Sequence, residues 1–95
     1  MKSLGFIEVS SVTGAIDCLD IMCKTANVEF VTWERKLGGR LVTVVVTGNV
    51  SAVTAAVNAA MEKAIKTPVA HAVIANPHEE TWRIIEISAA KMKKA

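Results

Sequence analysis

Two runs rich in β-branched and aromatic residues, Val28 to Leu37 and Leu41 to Thr47, stand on either side of Gly38-Gly39, and no other stretch constrains the fold as tightly. Val, Phe, Thr and Trp suit a pleated, half-buried surface, and adjacent glycines accept positive φ without a Cβ penalty. The segment Lys36-Leu37-Gly38-Gly39-Arg40 is therefore predicted to turn a β-hairpin. A hairpin is not stable alone in water, so the flanking segments must supply what it packs against.

They do so with matching periods. Leu4 to Val9 alternates as a strand, Ser10 and Ser11 offer a cap, and Val12, Ala15, Ile16, Leu19, Met22, Cys23 and Ala26 recur at helical spacing. Asn27 can take the left-handed conformation that ends a helix. After the hairpin, Gly48-Asn49 closes the strand and caps a second helix carrying Val50, Val53, Val57, Ala60, Met61, Ala64 and Ile65. Thr67-Pro68 stops it, Val69 to Ala75 reads as a fourth strand, and Asn76-Pro77 breaks that strand before a short helical turn at Glu79 to Trp82. Ile84 to Ala95 reads as an amphipathic or frayed tail. The order βαββαβ is the split βαβ arrangement: an α+β, ferredoxin-like, four-stranded antiparallel sheet with the two main helices on one face, plus a short C-terminal helix. The predicted domain covers residues 1–87, with a basic tail over 88–95.

Ninety-five residues suffice for one domain, and 52% hydrophobic against 21% charged is more apolar surface than one small core needs, which anticipates subunit contacts. No apolar stretch approaches the roughly 20 residues that span a bilayer, and the first residues lack a basic-apolar-cleavage pattern, so a soluble, cytoplasmic chain is expected. The net charge of +2 owes much to Lys91, Lys93 and Lys94, and no broad basic surface points to nucleic acid.

Catalytic and metal chemistry find no foothold. The Gly-rich stretch leads into a strand and lacks the GK[ST] ending of a phosphate-binding loop. His71 and His78 lack metal-ligand spacing and read as an edge or packed imidazole and as an interface or capping group. Cys18 and Cys23 lie five apart in an apolar helix and are expected to be buried thiols. The carboxylates are scattered, no serine sits in a nucleophile elbow, Trp33 reads as core, and Trp82 as core or interface. Adjacent glycines in the hairpin serve a plain tight turn or the close approach of a ligand or symmetry mate equally well.

Five segments in fixed order resemble one known family: Leu4-Gly5-Phe6-Ile7-Glu8, Asp20 to Val28 (DIMCKTANV), Lys36-Leu37-Gly38-Gly39, Leu41 to Val50 (LVTVVVTGNV) and Ile74-Ala75-Asn76-Pro77-His78. Together they are similar to the single-domain, hexamer-forming shell proteins of bacterial microcompartments, over nearly the whole chain to about Ile87. The resemblance implies a non-enzymatic, cofactor-free tile. It implies a homo-hexamer that meets neighbouring hexamers and other shell proteins around encapsulated enzymes, without nucleic acid or membrane partners.

It further implies that Leu37, Gly38, Gly39 and Arg40 line or rim a central pore, where repeated amides and arginines would favour anionic or polar metabolites. The implied edge between hexamers uses Lys24 and Asn27 with Asn76, Pro77 and His78. At Asn76 the family pattern has an arginine, whose fork of donors asparagine cannot reproduce, and Arg40 replaces a small residue. The competing expectation is a ligand-binding regulatory module of the same fold; an acylphosphatase-like enzyme would need a phosphate-cradling loop that is not evident.

Overall fold

A computed structural model of the chain describes residues 2–35 and 40–94. Its elements are β1 (Ser3–Val9), α1 (Val12–Thr25), β2 (Glu29–Glu34), β3 (Val42–Gly48), α2 (Val50–Lys63), β4 (Ala70–Ile74) and α3 (Glu79–Lys94). All strand pairs are antiparallel and the order is β2-β3-β1-β4, the split βαβ sheet anticipated from sequence. Overall extents of 33 × 30 × 19 Å make the molecule a flattened slab.

Local chemistry sets the helix starts. Ser11 accepts from Gly14 N–H at 2.9 Å and Asn49 accepts from Ala52 N–H at 2.8 Å, each satisfying one of the orphan donors of a first turn. The ends differ from expectation. α1 stops at Ala26 in extended backbone, its N–H bonded to Met22 O, one residue before the Asn27 expected to end it. α2 stops at Ala64, also extended, and Ile65 beyond it is exposed, its N–H held by Asp17 Oδ2 at 2.9 Å.

Alternation distributes the sheet's side chains between two cores. Ile7, Val9, Val42, Val44 and Val46 face α1 and α2, joining Ala15, Cys18, Met22, Val53, Ala56, Val57 and Ala60. Leu4, Val45 and Ile85 form the second cluster with Phe6, Val31 and Trp82. The first is the main core. The second decides between the amphipathic and the frayed reading of the tail in favour of the amphipathic one, and corrects the short helical turn at Glu79 to Trp82: α3 is 16 residues long and crosses the opposite face of the sheet, chiefly against β2. It runs without a break through the boundary expected at residues 87 and 88. Its hydrophobic spacing, Trp82, Ile85, Ala89 and Met92, is helical, but helices flanking a sheet on both faces were not legible from the tail read alone.

One further correction concerns exposure, and two other observations fit the expectations of an edge imidazole at His71 and of surplus apolar surface. Cys23 is exposed, whereas Cys18 is buried as expected. Ile16 at 54% and Val12 at 45% exposure leave much of α1's apolar periodicity outside the core of a single chain. β4 is an edge strand exposed along most of its length, with His71 on it.

Candidate functional site

The sheet has two ends, and the residues singled out in the sequence divide between them. At one end, Glu34 pairs with Thr43, Val9 with Val42 and Glu8 with Ala70; here β2 leaves through Arg35 and the chain re-enters at Arg40. Leu37, Gly38 and Gly39 lie outside the described residues. Arg40 is exposed beside them. At the other end, Glu29 pairs with Thr47, Ser3 with Gly48 and Leu4 with Ile74. α1 begins near the first end and runs back to the second.

Contacts at the second end bring the other candidates to one region. Gly48 lies so close to the start of β2 that a Cβ on it would stand 3.0 Å from Asn27 O. Gly48 pairs with Ser3, whose hydroxyl donates to Ala75 O at 2.8 Å. Lys24, Asn27, Asn76, Pro77 and His78 therefore share the end of the slab remote from the Arg35 to Arg40 connection. The seven residues of β1 separate the two ends, a span of about 20 Å at the usual strand rise.

Within that edge group, each side chain has a definite state. Lys24 Nζ stands 2.8 Å from Asp20 Oδ2 one turn earlier, with both groups exposed. The hydrogen bond to Asp20, then its charge, pushes the Lys24 ammonium up from its ordinary value. Pro77 is buried, anchoring the corner, while Asn76 and His78 are exposed. His78 caps α3: its Nδ1 accepts from Glu80 N–H at 3.0 Å, and its carbonyl accepts from Thr81 and Trp82. That satisfies the capping half of the expectation for this histidine.

At the connection end, the strand exit is built from side chains the sequence did not single out. The pairing shifts register between Phe30 and Thr32, a bulge that sends Thr32 and Glu34 to the α3 face and Trp33 to the main core. Arg35 lies over the Trp33 ring, 5.1 Å from its centroid. Thr32 is fully buried, its Oγ1 3.0 Å from Ser88 Oγ and 4.0 Å from Met92 Sδ, and Ser88 also bonds Glu34 Oε2. Each hydroxyl has one proton and a carboxylate only accepts, so Ser88 donates to Glu34 and Thr32 donates to Ser88. A groove of about 300 Å³ opens beside this chain of bonds, between Phe6, Thr43 and Val45 on the sheet and Ile84, Ile87 and Lys91 on α3. The signal that could have found Ser88 is its spacing, three residues after Ile85 and four before Met92, on the inward face of a helix.

Among the described residues, no group of three or more His, Cys, Asp or Glu side chains could hold a metal ion, and no helix is long and apolar enough to cross a membrane.

A thin split βαβ sheet, with Arg35 and Arg40 at one end and a Lys, Asn and Pro-His group at the other, defines a class of protein that comparison with known chains identifies. Residues 3–77 match the BMC domain, and the chain belongs to that family, the shell proteins of bacterial microcompartments. It is 41% identical over 86 residues to the microcompartment shell protein PduA of Citrobacter freundii, covering 88% of this chain and 91% of that one. Identity to the carboxysome shell protein CcmK2 of Synechococcus elongatus is 35% over 89 residues, covering 90% of this chain and 86% of that one. Among solved structures, a microcompartment protein of Desulfitobacterium hafniense superposes with a TM-score of 0.79 at 26% identity; it covers 93% of this chain, which spans about half of that longer one at 48%.

Proposed function

We propose that this chain is a structural tile of a bacterial microcompartment shell that performs no catalysis. Six copies close into a ring, the 37–40 segments line a central pore, and Lys24, Asn27, Asn76, Pro77 and His78 meet the next ring so that the sheet encloses enzymes together with other shell proteins. The observation that carries the proposal is that Arg35 and Arg40, which flank the 36–39 segment, stand at one end of the sheet, and the Lys24, Asn27 and Asn76 to His78 group at the other, which suits a pore at the centre and an edge at the periphery. Family membership supports the shell role. The exposed apolar side chains Val12, Ile16, Ile65 and Val69 supply surface for neighbouring copies, and a heterologous contact that closes by rotation makes a ring. Arg35 and Arg40, repeated around the axis, favour anionic or polar metabolites at the pore.

The alternative is a ligand-binding regulatory module of the same fold, and the groove under α3 is the observation in its favour. Native mass spectrometry, followed by negative-stain imaging at rising concentration, separates the two. A ring of six that grows into sheets or tubes is the expected outcome. A monomer or dimer would overturn the tile and leave the regulatory module standing.

A further inference from the structure

We infer that Ser88, on α3, is a positioning residue for Arg35, and that it acts by holding the Glu34 carboxylate on the opposite face of the slab. The inference rests on the reading of the Arg35 to Arg40 connection as pore-lining.

Successive side chains of a strand point to opposite faces, so where Glu34 goes decides where Arg35 can go. Glu34 is half-buried against α3 and takes the Ser88 proton; Arg35 is exposed on the other side and lies over Trp33. Two neighbours of opposite charge are thereby held apart, and the guanidinium rests on an aromatic face, an attraction that leaves its charge uncancelled. Thr32 fixes Ser88 in turn: it is fully buried, and its hydroxyl stands 3.0 Å from Ser88 Oγ, closer than its two other acceptors, Trp33 O at 3.5 Å and the Met92 sulfur at 4.0 Å. The bulge between Phe30 and Thr32 makes the arrangement possible, because it sets the faces of all residues from Thr32 to the end of β2.

Without the Ser88 hydroxyl, a half-buried carboxylate loses a charge-assisted bond and swings toward water, where Arg35 is the adjacent cation. The strand exit then carries a self-neutralised Glu-Arg pair where it had carried a displayed guanidinium. Repeated six times around an axis, that change removes much of the positive potential at the mouth on the Trp33 side of the slab. A helix packed against β2 would in this way set the charge displayed at the strand exit.

The test is the ion selectivity of the assembled ring inserted in a planar bilayer under a potassium chloride gradient, with native mass spectrometry confirming six copies. Wild type is expected to prefer chloride. Ser88→Ala is expected to keep the ring but shift the reversal potential toward the non-selective value and lower chloride conductance by roughly two-fold, as screened local charge dictates. Glu34→Gln, which keeps an acceptor for Ser88 and removes the charge, is expected to raise chloride preference, and it decides the matter should Ser88→Ala fail to assemble. A conducting wild-type ring whose reversal potential is unmoved by either variant would overturn the inference and leave the pore intact. A wild-type ring that passes no ions would overturn the pore reading itself, and the inference with it.

Discussion

Gly5 lies where α2 rests on β1, and a Cβ added there would stand 2.7 Å from Val53 Cγ1 and 3.0 Å from Val57 Cγ2. Both valines are fully buried among well-packed neighbours. Gly5→Ala is expected to cost about 1–3 kcal/mol through overpacking, lowering the thermal midpoint by roughly 5 °C or more in a domain of this size; an unchanged midpoint in a melting curve would contradict the close approach. The two thiols behave differently from each other. Burial pushes the Cys18 thiol up, with the Asp17 charge adding to it, and partial burial followed by the Asp20 charge does the same for Cys23. A raised thiol pKa means that the folded chain holds the proton more tightly. The stabilisation it contributes is therefore present below the unfolded thiol's pKa and is lost as pH rises through the folded value. Alkylation near neutral pH is expected to modify Cys23 alone and slowly, with Cys18 reacting only on unfolding, as mass spectrometry of timed samples would show.

At the scale of the element, α3 covers part of the sheet's second face. It supplies Trp82 and Ile85 to the smaller core, and Ser88 and Met92 to the Thr32 hydroxyl, whose remaining contact is the Trp33 carbonyl at 3.5 Å. Ending the chain after Ile87 removes those last two contacts and exposes the end of β2 on that side. The expected cost is about 1–3 kcal/mol from the apolar surface of Met92 and of the β2 face beneath it returned to water, visible as a lower urea midpoint. A truncated chain as stable as the full one would show that residues from Ser88 onward are an appended tail. His78, which caps this helix through Nδ1, belongs to the same account because it ties α3's start to the edge set.

For the whole molecule, the question is what Asn76 does to assembly. It is exposed, near the end of the sheet that also carries Lys24 and Asn27. Asparagine offers one amide where arginine offers a planar fork of five N–H donors, so in the proposed tile the lateral contacts between identical rings are expected to be weaker. Asn76→Arg is expected to move the onset of sheet formation to lower protein concentration while the ring mass stays the same, measured by light scattering and imaging. Sheets that form at the same concentration in both proteins would remove Asn76 from the edge contact. The Lys24 and Asp20 pair, on an exposed helix face, adds little to stability by itself.

Much of this architecture is written in local sequence. Residue-scale signals suffice where a segment's own chemistry fixes its state: Ser11 and Asn49 cap helices because their side chains reach an N–H three residues on, and the alternation of β1 and β3 shows which residues share a face. The segments that carried the family resemblance were legible for the same reason, each being a short local pattern. Tertiary structure alone decided the rest. The course of α3 depends on whether the second sheet face has a partner, which no period in residues 84–95 states. The bulge in β2 depends on how the strand meets β3, and with it the faces of Thr32, Trp33 and Glu34. The exposure of Cys23, Ile16 and Ile65 depends on where neighbouring elements end. Spacing tells which side chains of one element lie together; only packing tells what lies opposite them.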